Sequence, residues 1–150
     1  MNAIPDRLKR IRNLPMFAAC NKQELEEIDR LTDEVSVAAG RTIMAEGELG
    51  QEFALILSGE ADVIRDGKVV ATLSTGDYFG EVALLDSVAR TASVVARTDM
   101  ELEVLDRRGF NTLLDDLPQL SRSMLRGLAQ RMAEHQAEIQ RLRAILANGK

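Results

Sequence analysis

Among the 150 residues there is no tryptophan, one tyrosine and only four phenylalanines. So few aromatics leave no platform on which bases could stack, and a net charge of −5 gives no broad basic face for a polyanion. Nucleic acid is therefore not an expected partner of this chain. Cys20 stands alone, which excludes an internal disulfide and a cysteine metal cluster; it is expected as filler near a loop. His135 is the only histidine, too few for a His-rich metal centre, and no metal is expected. The N-terminus lacks an apolar signal core, and no apolar run approaches the ~18 residues that a membrane helix needs. The expectation is a soluble, cytoplasmic chain without membrane contact. No nucleophile stands beside a base in the pattern, so no enzyme is expected.

What is present is a core. Hydrophobic residues make up 45% of the chain, and the length suits a single domain over residues 1–150. Residues 1–34 read as helical: Leu8, Ile11 and Leu14 share a face over 5–13, and Asn21 with Glu24 is spaced as a capping box for a helix through Leu31. From 35 to 106 the apolar period falls to two, with glycines cutting the runs. The predicted strands are Val35–Ala38, Thr42–Ala45, Phe53–Leu57, Ala61–Arg65, Val69–Leu73, Ser93–Ala96 and Glu101–Leu105, and Asp66-Gly67 is a hairpin signal. Evenly spaced short strands predict a small antiparallel sandwich or roll.

Residues 107–146 return to helix. Asp106 is placed to cap a first segment, and Pro118 opens a long one. Leu125, Leu128, Met132, His135, Ile139, Leu142 and Leu146 alternate steps of three and four along it. That is the narrow seam of a two-chain coiled coil. Docking of this helix on its own roll through Leu120 and Met124 is the competing expectation.

Between the strands lies the stretch with chemical content, Gly76 to Ala92. Gly76-Asp77 signals a turn, Phe79 an apolar anchor, and Gly80 a point where the backbone bends or admits a close neighbour. Residues 81–85 read as one helical turn with amide donors free for an anion. Glu81 supplies an acceptor carboxylate, and Arg90, nine residues on, a fork of donors shaped for a phosphate. Thr91 adds a hydroxyl and Ala92 leaves space. Together they make a pocket for a sugar phosphate.

The run Phe79-Gly80-Glu81…Arg90-Thr91-Ala92 resembles the phosphate-binding cassette of the cyclic nucleotide-binding domain family, which includes the catabolite activator protein and protein kinase A regulatory subunits. Gly40, the Glu46-Gly47-Glu48 turn, Gly50, the Phe53–Leu57 strand and Ser58-Gly59 extend the resemblance over about residues 5–140. Gln51 departs from it, standing where relatives often carry Asp.

The resemblance implies an α+β fold, mainly β. An antiparallel double-stranded β-helix or jelly roll would be flanked by N-terminal helices and a long C-terminal helix. It implies that Glu81 accepts from the ribose 2′-hydroxyl and that Arg90 holds the cyclic phosphate. Gly80, Val82 and Ala83 would add backbone contacts. Thr91 would bond the phosphate or a guanine amine, which leaves the base open: cAMP is favoured and cGMP is the alternative ligand. Alignment of the long helix implies that Arg131 pairs with the ribose-binding glutamate and that His135 and Gln136 lie where relatives touch adenine. The expected protein is a regulatory sensor without other cofactor, a homodimer through residues 118–146, in which ligand couples the cassette to the C-terminal helix. A roll that binds nothing and acts through its coiled coil is the alternative, as is the sensor part of a transcription regulator. The family's DNA-binding module would follow the long helix, and the chain ends at Lys150 without room for one.

Overall fold

The computed structural model describes residues 4–49, 52–80, 90 and 92–148, apart from the side chain of Arg131. The chain divides into two compact units, Met1–Asp116 and Leu117–Lys150.

The first unit begins with α1 (Asp6–Arg12), a 3-10 turn at Pro15–Phe17, and α2 (Lys22–Leu31). The capping box at the start of α2 forms as expected. The Asn21 side chain accepts from the Glu24 amide at 2.8 Å, and the Glu24 carboxylate accepts from the Asn21 amide at 2.9 Å. Among the described residues eight strands follow: β1 (Asp33–Val37), β2 (Thr42–Met44), β3 (Glu52–Ser58), β4 (Ala61–Arg65), β5 (Lys68–Leu73), β6 (Tyr78–Phe79), β7 (Ser93–Ala96) and β8 (Met100–Asp106). They form two antiparallel sheets, in the orders β1-β8-β3-β6 and β2-β7-β4-β5. The unit closes with α3 (Arg107–Asp116), whose Gly109 amide donates to the Asp106 carboxylate at 2.7 Å. Asp106 is thus the cap that its position in the sequence predicts.

β3 explains why the roll holds. Its five central residues, Phe53 to Leu57, are all buried, as suits a strand covered on both faces. Ala54 and Ile56 enter the core inside the roll with Phe79, Val94, Met100 and Leu102. Phe53 packs the other way, with its ring 4.9 Å from Phe110 of α3 and 5.5 Å from Tyr78. Each such side chain, fully buried, contributes about 1.5–3 kcal/mol. At the β4–β5 hairpin, Asp66 (φ 54°) and Gly67 (φ 77°) both take the left-handed conformation that a two-residue turn of matching twist needs.

The predicted strands lie within a residue or two of the observed ones, with one omission. β6 has two residues, Tyr78 and Phe79, too few to show an alternation in sequence; it exists because Phe79 and Tyr78 pair with Ala54 and Leu55 of β3. The antiparallel roll with flanking helices is the architecture that the resemblance implies.

The second unit is described by one helix, α4 (Pro118–Asn148). Along it Leu125, Met132, Ile139, Leu142 and Leu146 are exposed. No helix among the described residues is long and apolar enough to cross a membrane.

Candidate functional site: the Gly80–Arg90 contact

Three segments of the first unit converge on Arg90. The turn after β2 holds its backbone: the Arg90 amide donates to the Glu48 carbonyl at 2.7 Å, and the Gly47 amide donates to the Arg90 carbonyl at 2.9 Å. That turn is itself fixed, because Glu48 donates to the Ala45 carbonyl at 3.2 Å and Glu46 to the Ser93 hydroxyl at 2.9 Å. The start of β3 holds the side chain, where Arg90 Nη2 donates to the Glu52 carbonyl at 2.9 Å.

Gly80 follows β6 and lies against the same group. With φ at +96°, it takes a conformation that side-chain-bearing residues rarely adopt. A Cβ there would lie 2.5 Å from the Glu52 carbonyl oxygen, 2.8 Å from Arg90 Nη1 and 3.0 Å from the Met44 methyl. The glycine is therefore required twice, by its backbone and by the space that the guanidinium occupies. Met44 is delivered by an irregularity in β2, where the pairing with β7 shifts register between Thr42 and Met44. Such bulges re-aim side chains.

Glu52 and Met44 also line a cleft of about 250 Å³ between the sheets, with Ile43, Ala54, Leu102 and Val104 among its apolar walls. Arg41 is the cation among its lining residues, and a largely apolar cleft with one cation suits a ligand with one anionic group and a planar or sugar body. A larger groove of about 480 Å³ lies around Ser58, Asp99 and Met100, and its lining does not include Glu52 or Met44, the residues that meet Gly80. The smaller cleft is the better candidate on chemical grounds.

Of the predicted site residues, Gly80 and Arg90 are brought together, and Ala92 follows half-buried just before β7. Glu81, Val82, Ala83 and Thr91 lie outside the described residues, as does the predicted helical turn over 81–85. Arg131 is helical in α4, and its side chain lies outside the description; His135 and Gln136 are exposed on α4. Sequence reasoning missed the part played by Glu52, Met44, Gly47 and Glu48. Glu52 acts through its carbonyl, and Gly47 and Glu48 act through main-chain atoms, so side-chain identity could not reveal them. The Glu46-Gly47-Glu48 turn was the one visible signal.

Residues 34–116 match the model of the cyclic nucleotide-binding domain. The cAMP-dependent protein kinase regulatory subunit of Schizosaccharomyces pombe is 37% identical over 117 residues, which cover 77% of this chain and 28% of that protein. The chain therefore spans little more than a quarter of this curated relative. Among solved structures, the catabolite activator protein of Thermus thermophilus matches with a TM-score of 0.78 at 32% identity, over 85% of this chain and 62% of that one. The regulatory subunit of a cAMP-independent protein kinase A from Trypanosoma brucei matches with a TM-score of 0.75 at 26% identity, over 88% and 50%. The family model spans nearly the whole roll, including the Gly47-Glu48 turn and Gly80 that meet Arg90, and this chain belongs to the cyclic nucleotide-binding domain family.

Proposed function

We propose that this chain is a regulatory sensor that binds a cyclic nucleotide in the cleft beside Gly80 and Arg90, with cAMP preferred and cGMP the alternative. One observation carries the reading: the Arg90 backbone is tied to the Gly47–Glu48 turn, and its guanidinium, bonded to the Glu52 carbonyl, lies against a glycine where any Cβ would meet it. Preorganisation of this kind favours binding, because the side chain need not be ordered when the ligand arrives. In this reading Arg90 grips the cyclic phosphate at two points, Glu81 accepts from the ribose 2′-hydroxyl, and Gly80, Val82 and Ala83 contribute main-chain contacts. Thr91 and Ala92 close the phosphate side. The ligand binds and leaves unchanged, with no catalytic step.

The cAMP preference draws on the S. pombe relative, which is named for dependence on cAMP. The T. brucei neighbour is named for independence of it, so the fold by itself does not select the nucleotide. Regulation would follow from differential affinity. Arg131, His135 and Gln136 of α4 would meet the ligand in one state of the helix, and ligand would favour that state. α4 would also join two copies of the chain through residues 118–146.

The test is calorimetry and thermal shift on the chain with cAMP, cGMP and AMP, beside Arg90→Ala. A ligand that binds the native state raises the midpoint by mass action. The expected result is a rise with cAMP, a smaller one with cGMP, none with AMP, and none with any of them in Arg90→Ala. Absence of heat and of shift with both cyclic nucleotides would sink the proposal.

A further inference from the structure

Ser93 opens β7, the strand that lies between β2 and β4 in the second sheet. Its backbone is registered opposite Ile64 of β4, so the residue is anchored in the sheet. On the other side the ladder runs out early. The β2–β7 pairing shifts register between Thr42 and Met44, and Met44 opposite Val94 is its last pair. The chain then leaves the sheet in the turn over 45–48, and Glu46 lies past the end of the ladder. There the half-buried Ser93 side chain takes over, its hydroxyl accepting from the Glu46 amide at 2.9 Å. A serine thus extends the hold of the sheet on the turn by one bond beyond the main-chain pairs.

That bond matters because of what the turn carries. Both main-chain polar groups of Arg90 are bonded to it: the amide donates to the Glu48 carbonyl at 2.7 Å, and the carbonyl accepts from the Gly47 amide at 2.9 Å. The Glu48 amide closes the turn on the Ala45 carbonyl at 3.2 Å. A second tether, from the Asp66 amide to the Glu46 carboxylate, is longer at 3.4 Å and comes from an exposed hairpin tip, so it is the weaker of the two. The path from the sheet to the Arg90 backbone therefore runs through the Ser93 hydroxyl, Glu46 and the Gly47-Glu48 amide and carbonyl. At the far end the fit is close: Arg90 Nη1 stands 2.8 Å from where a Cβ on Gly80 would be. A guanidinium held that tightly depends on its supports, because small displacements of a recognition group cost affinity.

We propose that Ser93 is a positioning residue for Arg90: its hydroxyl fixes the turn over 45–48 and, through the turn, sets where the guanidinium stands beside Gly80. The hold on Arg90 follows from these contacts, whereas its effect on a ligand rests on the reading of Arg90 as the residue that grips the cyclic phosphate. Loss of the hydroxyl leaves the Glu46 amide to water at an exposed turn, so the cost to folding is small. The cost to binding is larger in proportion, because the ligand must then order the turn and Arg90 as it arrives.

Three variants separate the hydroxyl from the shape. Ser93→Thr keeps the acceptor, Ser93→Val has the outline of threonine without it, and Ser93→Ala supplies the comparison if the larger side chains disturb β7. The first measurement is amide hydrogen exchange, read by NMR on the unliganded chain. Without the bond, exchange at the Gly47 and Arg90 amides should speed up about three- to tenfold in Ser93→Val and Ser93→Ala. Exchange in β3 and β8 should stay as it was, and Ser93→Thr should behave as the unsubstituted chain does. The second measurement is calorimetry with cAMP, where affinity should fall about three- to tenfold in the same two variants and recover in Ser93→Thr. Unchanged exchange at both amides in Ser93→Ala overturns the proposal. So does faster exchange spread evenly through the roll, which marks a general loss of stability. Faster exchange at the two amides with undiminished affinity overturns the step from the turn to the guanidinium. A chain that shows the exchange pattern but gives no heat with cAMP or cGMP overturns the cyclic nucleotide reading and leaves the hold of Ser93 on Arg90 in place.

Discussion

Arginines are held in two different ways in the first unit. At the N-terminal helices they meet carboxylates: Arg7 bridges to Asp29 of α2, and Arg10 bridges to both Glu34 of β1 and Glu101 of β8. Beside Gly80, the Arg90 guanidinium donates to the Glu52 carbonyl and its backbone amide to the Glu48 carbonyl, acceptors that carry dipoles but no net charge. The first arrangement cancels charge and fastens helix to sheet. The second orients a guanidinium through a neutral carbonyl. In the proposed reading, then, a carboxylate acceptor goes with the fastening arginines and a carbonyl acceptor with the binding one.

The largest effect that would sharpen this contrast belongs to Gly80. Gly80→Val combines a left-handed backbone with a Cβ 2.5 Å from a carbonyl oxygen, and strain of that kind costs about 1–3 kcal/mol even before the guanidinium is displaced. The expected outcome is a midpoint lowered by several degrees together with loss of cyclic nucleotide binding; a variant with normal affinity would show that Gly80 does not shape the site. Arg90→Ala should act on binding much more than on folding. A charge-assisted contact of this kind contributes about 1.5–3 kcal/mol, or roughly ten- to a hundredfold in affinity. Calorimetry reads the affinity, and thermal melting of the unliganded chain should move little. Arg10→Ala should do the reverse on a smaller scale. Exposed ion pairs contribute about 0.2–1 kcal/mol each, so the midpoint should fall slightly and affinity should stay the same. Equal behaviour of Arg10→Ala and Arg90→Ala in both assays would erase the distinction between the two settings.

Much of this was legible beforehand, for reasons that differ by element. The capping box at Asn21 and Glu24, the Asp66-Gly67 hairpin and the cap at Asp106 are local devices, in which residues a few positions apart satisfy one another, so sequence displays them directly. β3 was legible because a strand covered on both faces must be apolar throughout. β6 was not, because two residues carry no period and their pairing depends on Ala54 and Leu55, more than twenty residues away. The site divides along the same line. Gly80 and Arg90 announce themselves by residue type, whereas Glu52 is used for an atom that every residue has.

The smallest predicted effect concerns Glu103, in β8 on the fastening side. It is the buried charged residue of the described core, at 3% exposure, and Glu34 stands directly opposite it in the β1–β8 ladder. Burial pushes its carboxyl pKa up, against a hydrogen bond from Thr32 that favours the ionised form; Glu34 and Asp29 add to the rise and Arg7 opposes it. A carboxyl whose pKa is higher folded than unfolded stabilises the fold while protonated. That contribution is complete below the unfolded pKa and is lost as pH rises through the folded one. Above the raised pKa, then, Glu103 is held ionised at a cost, and like charges opposed across a ladder add a few tenths of a kcal/mol. Glu103→Gln keeps the shape and the bond to Thr32 while removing both costs. It should raise the melting midpoint slightly at pH 7–8, by an amount that shrinks as the pH approaches 4, and leave cyclic nucleotide affinity unchanged. A midpoint that falls at pH 8 would show that the ionised carboxylate, drawn to Arg7, is part of what fastens the helices, and the fastening side would then use its buried charge as purposefully as the cleft uses Arg90.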